Sequence, residues 1–211
     1  MKSEASGEAS VQARGWRTFL HVLVNTGVAG LTTNFLWFAV VFWVYLETKS
    51  ILAVGLLSGA YMLLLALCSM WFGSLVDRYR KIVVMRASAW FSLAAFAVGC
   101  VMYFAVPAEV LLDLAGPWFW VFTLVLLAGC VVELLRALAL STTVTLLVPM
   151  DRHANANGLV GTVQGLSFIV TSVFSGLSIG FFGMGATMLI ALALTAVPII
   201  HLYLLRVPEP E

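Results

Sequence analysis

The sequence contains very little charge. Only 10% of its 211 residues are Asp, Glu, Lys or Arg, whereas about 25% is usual in a soluble domain. Hydrophobic residues make up 62% of the chain, and its mean hydropathy is +1.05. A water-soluble core would not absorb this much apolar surface, so we predict that the chain is embedded in a lipid bilayer.

The sequence also lacks the usual signs of an enzyme, a metal site or a disulfide framework. Its three cysteines, Cys68, Cys100 and Cys130, stand singly in apolar runs, which is typical of small buried side chains. The three histidines are scattered, and no H-E-x-x-H, G-x-S-x-G or P-loop motif occurs. The few basic residues do not favour a nucleic-acid partner. We therefore expect no enzyme activity, metal, cofactor or bound nucleic acid.

Long apolar runs account for most of the chain. A membrane helix needs about 20 apolar residues, and the first 16 residues are too small and polar for one, which predicts a disordered cytoplasmic tail. Residues 208–211 form a second short cytoplasmic tail, and a turn with Gly183 and Gly185 separates the last two runs. The predicted spans cover residues 18–46, 51–76, 82–106, 117–148, 157–182 and 184–206, within a bundle at 17–207.

The basic residues are unevenly distributed over the predicted loops. With the N-terminus in the cytoplasm, nine Lys and Arg residues lie on the cytoplasmic side and only Lys49 lies on the other. Basic residues of short loops stay on the cytoplasmic side. We therefore predict a multi-pass protein of the cell (plasma or inner) membrane with both termini in the cytoplasm.

A charged loop joins the second and third predicted spans. Gly73 would let its helix pack closely against a neighbour, and Asp77 would accept N–H bonds at the N-terminus of a facing helix. The basic residues of the loop would face water and lipid headgroups. A simpler interpretation stays open, in which any short cytoplasmic loop carries basic residues for topology alone. The residues concerned are Gly73, Asp77, Arg78, Arg80 and Lys81.

The pattern of this loop, Gly73-x-x-x-Asp77-Arg78-x-Arg80-Lys81, resembles the signature loop of the major facilitator superfamily. The usual form is G-x-x-x-D-R/K-x-G-R/K-R/K, and the second Gly is absent here. Residues 148–158 resemble the loop between the fourth and fifth helices of efflux-type, including macrolide-efflux-like, members.

The resemblance implies an all-α membrane protein with six transmembrane helices, arranged as a 3+3 inverted repeat. Members of the family normally have twelve spans in two halves, so it also implies an N-terminal half that needs a second six-helix half or a homodimer partner. The signature loop would then act as a conformational latch.

Two charges, Glu133 and Arg136, lie inside the fourth predicted span and share one helix face. A bare charge in hydrocarbon costs at least about 2.5 kcal/mol, so both must face each other, a cavity or another helix. In one interpretation Glu133 binds a proton that is coupled to a conformational change, and in the other the two form a structural ion pair. The resemblance implies the coupling motif R-x-x-x-G here, although Leu140 replaces its Gly.

Polar side chains inside the first and fifth spans are candidates for a substrate cavity. They include Asn25, Asn34 and Gln164. A buried Asn can equally join two helices, at about 0.6 kcal/mol on average, so both interpretations stay open.

Together these features predict a secondary transporter, most readily a proton-coupled antiporter for efflux of a small molecule or drug. Its partners would be the lipid bilayer, a small-molecule substrate and protons. The alternative is a non-transporting truncated or scaffold membrane protein that needs a second six-helix half.

Overall fold

The structure, a computed structural model, describes the backbone of residues 2–204 and the side chains of residues 14–204. Its fold is all-α, as predicted. Short loops and one 3-10 turn at Met150–Arg152 connect the helices. The helices are α1 (Lys2–Thr48), α2 (Ile51–Arg78), α3 (Lys81–Ala105), α4 (Ala108–Leu111), α5 (Pro117–Val132), α6 (Leu134–Leu147) and α7 (His153–Leu204).

The first helix differs from the prediction at its N-terminal end. It begins at Lys2, so the backbone of residues 2–16 is helical where we predicted a disordered tail. The Ala, Glu, Lys and Gln residues of this segment favour helix, which explains the extension. The predicted tail at 208–211 lies outside the described residues.

Within the described residues, five helices are long and apolar enough to cross a membrane. They are Arg14–Thr48, Ile51–Arg78, Lys81–Ala105, Pro117–Leu147 and Met150–Leu204. The last is 55 residues long, or about 80 Å if it were straight, and therefore far longer than the roughly 30 Å of hydrocarbon in a bilayer.

A sharp turn at Gly183 resolves this excess length. Gly183 has φ 73° and ψ 177°, a conformation that glycine adopts far more readily than other residues. The hydroxyls of Ser178 and Thr187 are 2.8 Å apart, whereas nine residues of straight helix would separate them by about 13 Å. The chain therefore folds back here, into a first arm (residues 153–182) and a second arm (residues 184–204).

Both arms of α7 pack against α1. On the first arm, the ring of Phe168 lies 4.9 Å from that of Phe38. On the second arm, the carbonyl of Pro198 accepts a hydrogen bond from Asn25. The first helix therefore lies between the two arms and is the central element of the bundle.

The fourth span is interrupted at a single residue. Glu133 separates α5 from α6, and its N–H bonds to the carbonyl of Cys130, three residues back, at 3.3 Å. The N–H of Arg136 bonds in the same way to the carbonyl of Glu133 at 3.0 Å. This is a local 3-10 tightening of the helix, and it occurs where the two charges of the span lie.

Helices α3 and α5 pack closely in the core. The hydroxyl of Ser92 donates to the carbonyl of Gly129 at 2.9 Å, and a Cβ atom at Gly129 would lie 2.5 Å from Cε1 of Phe96. Phe96 is 2% exposed, so its ring has little room to move. The lack of a side chain at Gly129 therefore permits this packing.

We expect Gly129→Ala to destabilise the protein by about 1–3 kcal/mol, because the added methyl group overpacks the core. The matched control is Gly55→Ala in α2, where a Cβ atom would meet nothing within 4 Å and the expected change is a stabilisation of about 0.5–1 kcal/mol, because Ala favours helix over Gly. The thermal unfolding midpoint of each variant in detergent provides the measurement. Equal midpoints for the two variants would contradict this account of the α3–α5 contact.

Candidate functional site

The break between α5 and α6 places an ion pair inside the bundle. Nε of Arg136 lies 3.5 Å from Oε2 of Glu133. The Arg136 side chain is 1% exposed and that of Glu133 is 14% exposed, so both charges are removed from water. A charged pair at such a position needs further hydrogen bonds to offset the loss of hydration.

Asn25 of α1 supplies the main additional contact. Nη1 of Arg136 donates to Oδ1 of Asn25 at 2.9 Å. Because a guanidinium group only donates, the amide oxygen must be the atom that faces it. The amide nitrogen of Asn25 therefore points to the other side, towards α7.

On that side Asn25 contacts the second arm of α7. Its Nδ2 donates to the carbonyl of Pro198 at 2.7 Å and lies 3.2 Å from Nδ1 of His201. Since both hydrogens of the amide are donors, this geometry requires Nδ1 of His201 to accept. The buried Asn25 thus joins α6, α1 and the second arm through one amide group.

One carboxylate oxygen has no partner. Oε1 of Glu133 is buried and makes no hydrogen bond with any residue in the described part of the chain. Buried polar atoms of this kind are uncommon in native proteins. Oε1 is therefore an acceptor that a proton or a bound molecule could satisfy.

Glu133 lines a cavity of about 410 Å³. This volume is within the range of small-molecule sites, about 300–1,000 Å³. Among the described lining residues, Glu133 is the only Asp, Glu, Lys, Arg or His. The polar residues that line the cavity with it are Thr26, Thr33, Asn34, Tyr61, Gln164 and Ser167.

Of the three residues that we predicted to line a substrate cavity, two do so in the structure. Asn34 and Gln164 line it, whereas Asn25 does not and is bonded between helices instead. Sequence reasoning missed Tyr61, which lines the cavity while its ring stacks on Trp37 at 4.2 Å. The signal was a single tyrosine in the middle of an otherwise apolar span, because a buried Tyr hydroxyl usually has a polar surrounding.

The charged loop between α2 and α3 differs from our expectation at two residues. Gly73 packs against no described neighbour, since a Cβ atom there would meet nothing within 4 Å. Asp77 is exposed, and no backbone N–H of a facing helix reaches it within the described residues. The end of α2 is nevertheless packed on its other face, where Val76 is 1% exposed.

The basic residues of this loop lie at the C-terminal end of α2 and the N-terminal end of α3. Arg78 is the last residue of α2, where a positive charge is favoured by the helix dipole. Nζ of Lys81 donates to the carbonyl of Val76 at 2.8 Å, and so caps the same helix end. Arg80 is exposed. The loop shares no residue with the lining of the cavity.

The remaining titratable groups do not converge on a metal site. Within residues 14–204, no three His, Cys, Asp or Glu side chains lie close enough together to hold an ion. The three cysteines are free thiols.

Comparison with known proteins agrees with the helical architecture. The family model described as Major Facilitator Superfamily matches residues 22–211. A search of curated proteins and a search of solved structures each gave no match. Because the family match covers all but the first 21 residues of the chain, the chain belongs to the major facilitator superfamily.

Proposed function

We propose that this multi-pass membrane transporter exports a small molecule in exchange for protons, and that Glu133 is the residue that binds the proton. The observation that supports the proposal is the unpartnered Oε1 of Glu133 on the wall of the cavity. Ionisable residues inside membrane spans commonly mark proton and substrate paths. The cavity is the proposed substrate site, with Asn34 and Gln164 as polar contacts.

Protonation of Glu133 would change the force on Arg136. When Glu133 is ionised, it attracts the guanidinium group from a distance of 3.5 Å. When it is neutral, the interaction of Arg136 with Asn25 becomes the stronger of the two. Because Asn25 also holds the second arm of α7, proton binding is linked to the packing of that arm against α1.

We also propose the membrane topology that follows from the folded form of α7. If each arm crosses the bilayer once, the chain has six crossings, with both termini on the cytoplasmic side of the cell membrane. The basic loop at 78–81 then lies in the cytoplasm, as such residues prefer. Two units of three helices related as an inverted repeat are consistent with this count.

Alternating access needs a second bundle that moves against this one. We propose that a second six-helix half, or a second copy of the chain, packs against α2. In the most apolar part of α2 only 11% of the residues are buried, the lowest share among the five candidate spans. The open space beside Gly73 would then be filled by a helix of that partner, and the loop with Asp77 would act as the latch.

A second candidate function is a membrane scaffold without a transport cycle. The observation that favours it is the bonding of Arg136, which joins Glu133 and Asn25 and would serve equally well as a fixed structural link. Removal of the Glu133 charge distinguishes the two functions, because it should abolish proton exchange in a transporter, whereas a scaffold has no proton exchange to lose.

The topology can be tested by labelling of single cysteines. Glu109 and Arg80 are both exposed and lie on opposite sides in the proposed topology. In a background in which Cys68, Cys100 and Cys130 are all replaced by Ala, we expect an impermeant maleimide added to intact cells to label Glu109→Cys and not Arg80→Cys. Labelling of Arg80→Cys alone would reverse the orientation, and labelling of both would contradict the proposed six crossings.

We expect Glu133→Gln to abolish proton exchange, because the amide keeps the shape of the side chain but binds no proton at Oε1. The assay uses everted membrane vesicles with an internal pH-sensitive dye and a panel of small amphipathic cations and neutral drugs. The matched control is Glu109→Gln, which removes an exposed carboxylate of the short helix α4 and should leave each compound-dependent pH change intact.

A Glu133→Gln variant that keeps these pH changes would show that Glu133 is not the coupling residue. If the wild-type chain gives no response to any compound, alone or with a co-expressed second half, the scaffold function is favoured instead. The elution volume of each variant in detergent shows that it is folded.

The roles of the two asparagines can be separated in the same way. We expect Asn25→Ala to lower the unfolding free energy by about 1.5–3 kcal/mol, the cost of a lost hydrogen bond to a charged group. Asn34→Ala should change stability by no more than about 0.5 kcal/mol and should alter compound-dependent transport. Thermal unfolding midpoints in detergent check the first result, and the vesicle assay checks the second. Equal destabilisation by both variants would contradict the assigned roles.

A further inference from the structure

A second arginine, Arg86, contacts aromatic residues outside the proposed transport site. Arg86 and Trp90 of α3 meet Tyr203 of the second arm of α7, and we call these three residues the Arg86 cluster. Cζ of Arg86 lies 4.7 Å from the centroid of the Tyr203 ring. Nε1 of Trp90 donates to the hydroxyl of Tyr203 at 3.0 Å.

The cluster lies near one end of the membrane-spanning part of α3. Arg86 follows Lys81, the first residue of this 25-residue helix, by five positions, or about 7.5 Å along the helix axis. With Lys81 among the lipid headgroups, this distance would place Arg86 near the boundary between headgroups and hydrocarbon. Trp90 is 51% and Tyr203 is 53% exposed, and Trp90 lies four positions, or about 6 Å, farther along α3 from Lys81 than Arg86 does.

The positive charge of Arg86 is not neutralised within the described chain. No carboxylate of residues 14–204 lies within 4 Å of its guanidinium group, and the described contact of that group is the ring face of Tyr203. A cation at this depth is stabilised by an anion more than by a ring face alone. The planar guanidinium group matches the oxygen atoms of a phosphate particularly well.

We infer that the Arg86 cluster binds the phosphate of an anionic phospholipid at the membrane surface. Arg86 supplies the charge-assisted hydrogen bonds, while Trp90 and Tyr203 contact the glycerol and upper acyl region. Basic sites between membrane helices near the surface are typical of acidic-lipid binding. Such a lipid would join α3 to the last turn of the second arm, independently of the proposed proton exchange.

Native mass spectrometry of the detergent-purified protein tests this inference. Phosphatidylglycerol is titrated in one series and phosphatidylcholine in a second, and binding of the first lipid molecule is measured. We expect wild type to prefer phosphatidylglycerol, and Arg86→Gln to weaken that binding by about tenfold or more, as expected for lost hydrogen bonds to a charged group. Arg152→Gln is the matched control, because Arg152 is exposed in the turn before α7.

Further variants distinguish specific lipid binding at the Arg86 cluster from diffuse electrostatic attraction of the lipid to the protein. Arg86→Lys should keep part of the affinity, and Tyr203→Phe should keep more of it than Tyr203→Leu because the ring is retained. An equal loss in Arg152→Gln and Arg86→Gln would mean diffuse attraction and overturn the proposal. Unchanged lipid binding in Arg86→Gln would also overturn the proposal. Complete competition by inorganic phosphate would overturn it too, because the cluster would then be a site for the free anion.

Discussion

The positive charge of Arg136 is the constraint on which the arrangement of this bundle depends. A buried guanidinium group needs a nearby anion and hydrogen-bond acceptors. Here Glu133, at the break of the fourth span, supplies the anion at 3.5 Å, and Asn25 of the central helix accepts a hydrogen bond. Asn25 in turn bonds to the carbonyl of Pro198. The position of one cation therefore fixes how α6, α1 and the second arm of α7 lie against one another.

Much of the fold could be predicted because the bilayer permits few solutions. Long apolar runs had to be helices, since every backbone polar group must be satisfied within its own segment. The turn at Gly183 was also predictable, because two adjacent runs needed a reversal and glycine permits it. The helical backbone of residues 2–16 was not anticipated, since the small and polar composition that suggested disorder also contains good helix formers.

The candidate site was predicted less completely, for a geometrical reason. Glu133 and Arg136 could be paired from their spacing alone. Asn25 and Asn34 are nine residues apart, which places them half a turn apart and on opposite faces of α1. The face with Asn34 lines the cavity, and the face with Asn25 contacts the second arm. Two residues of the same type therefore have different surroundings, which residue type alone could not predict. The surroundings of Gly73 depend on what covers α2, which its own sequence does not encode.

Pro198 makes the second arm of α7 easy to bend, and this arm is the element to which we propose that protonation of Glu133 is linked. Proline has no N–H, so the carbonyl of Leu194 loses its helical partner and the helix resists bending least at this point. The carbonyl that Asn25 holds belongs to this same proline. Both hydrogens of the Asn25 amide are engaged by the second arm, while its oxygen accepts from Arg136, so a shift of Arg136 pulls on the amide that holds this arm. A change in the charge of Glu133 would thus reach the second arm at the position where that arm bends most easily.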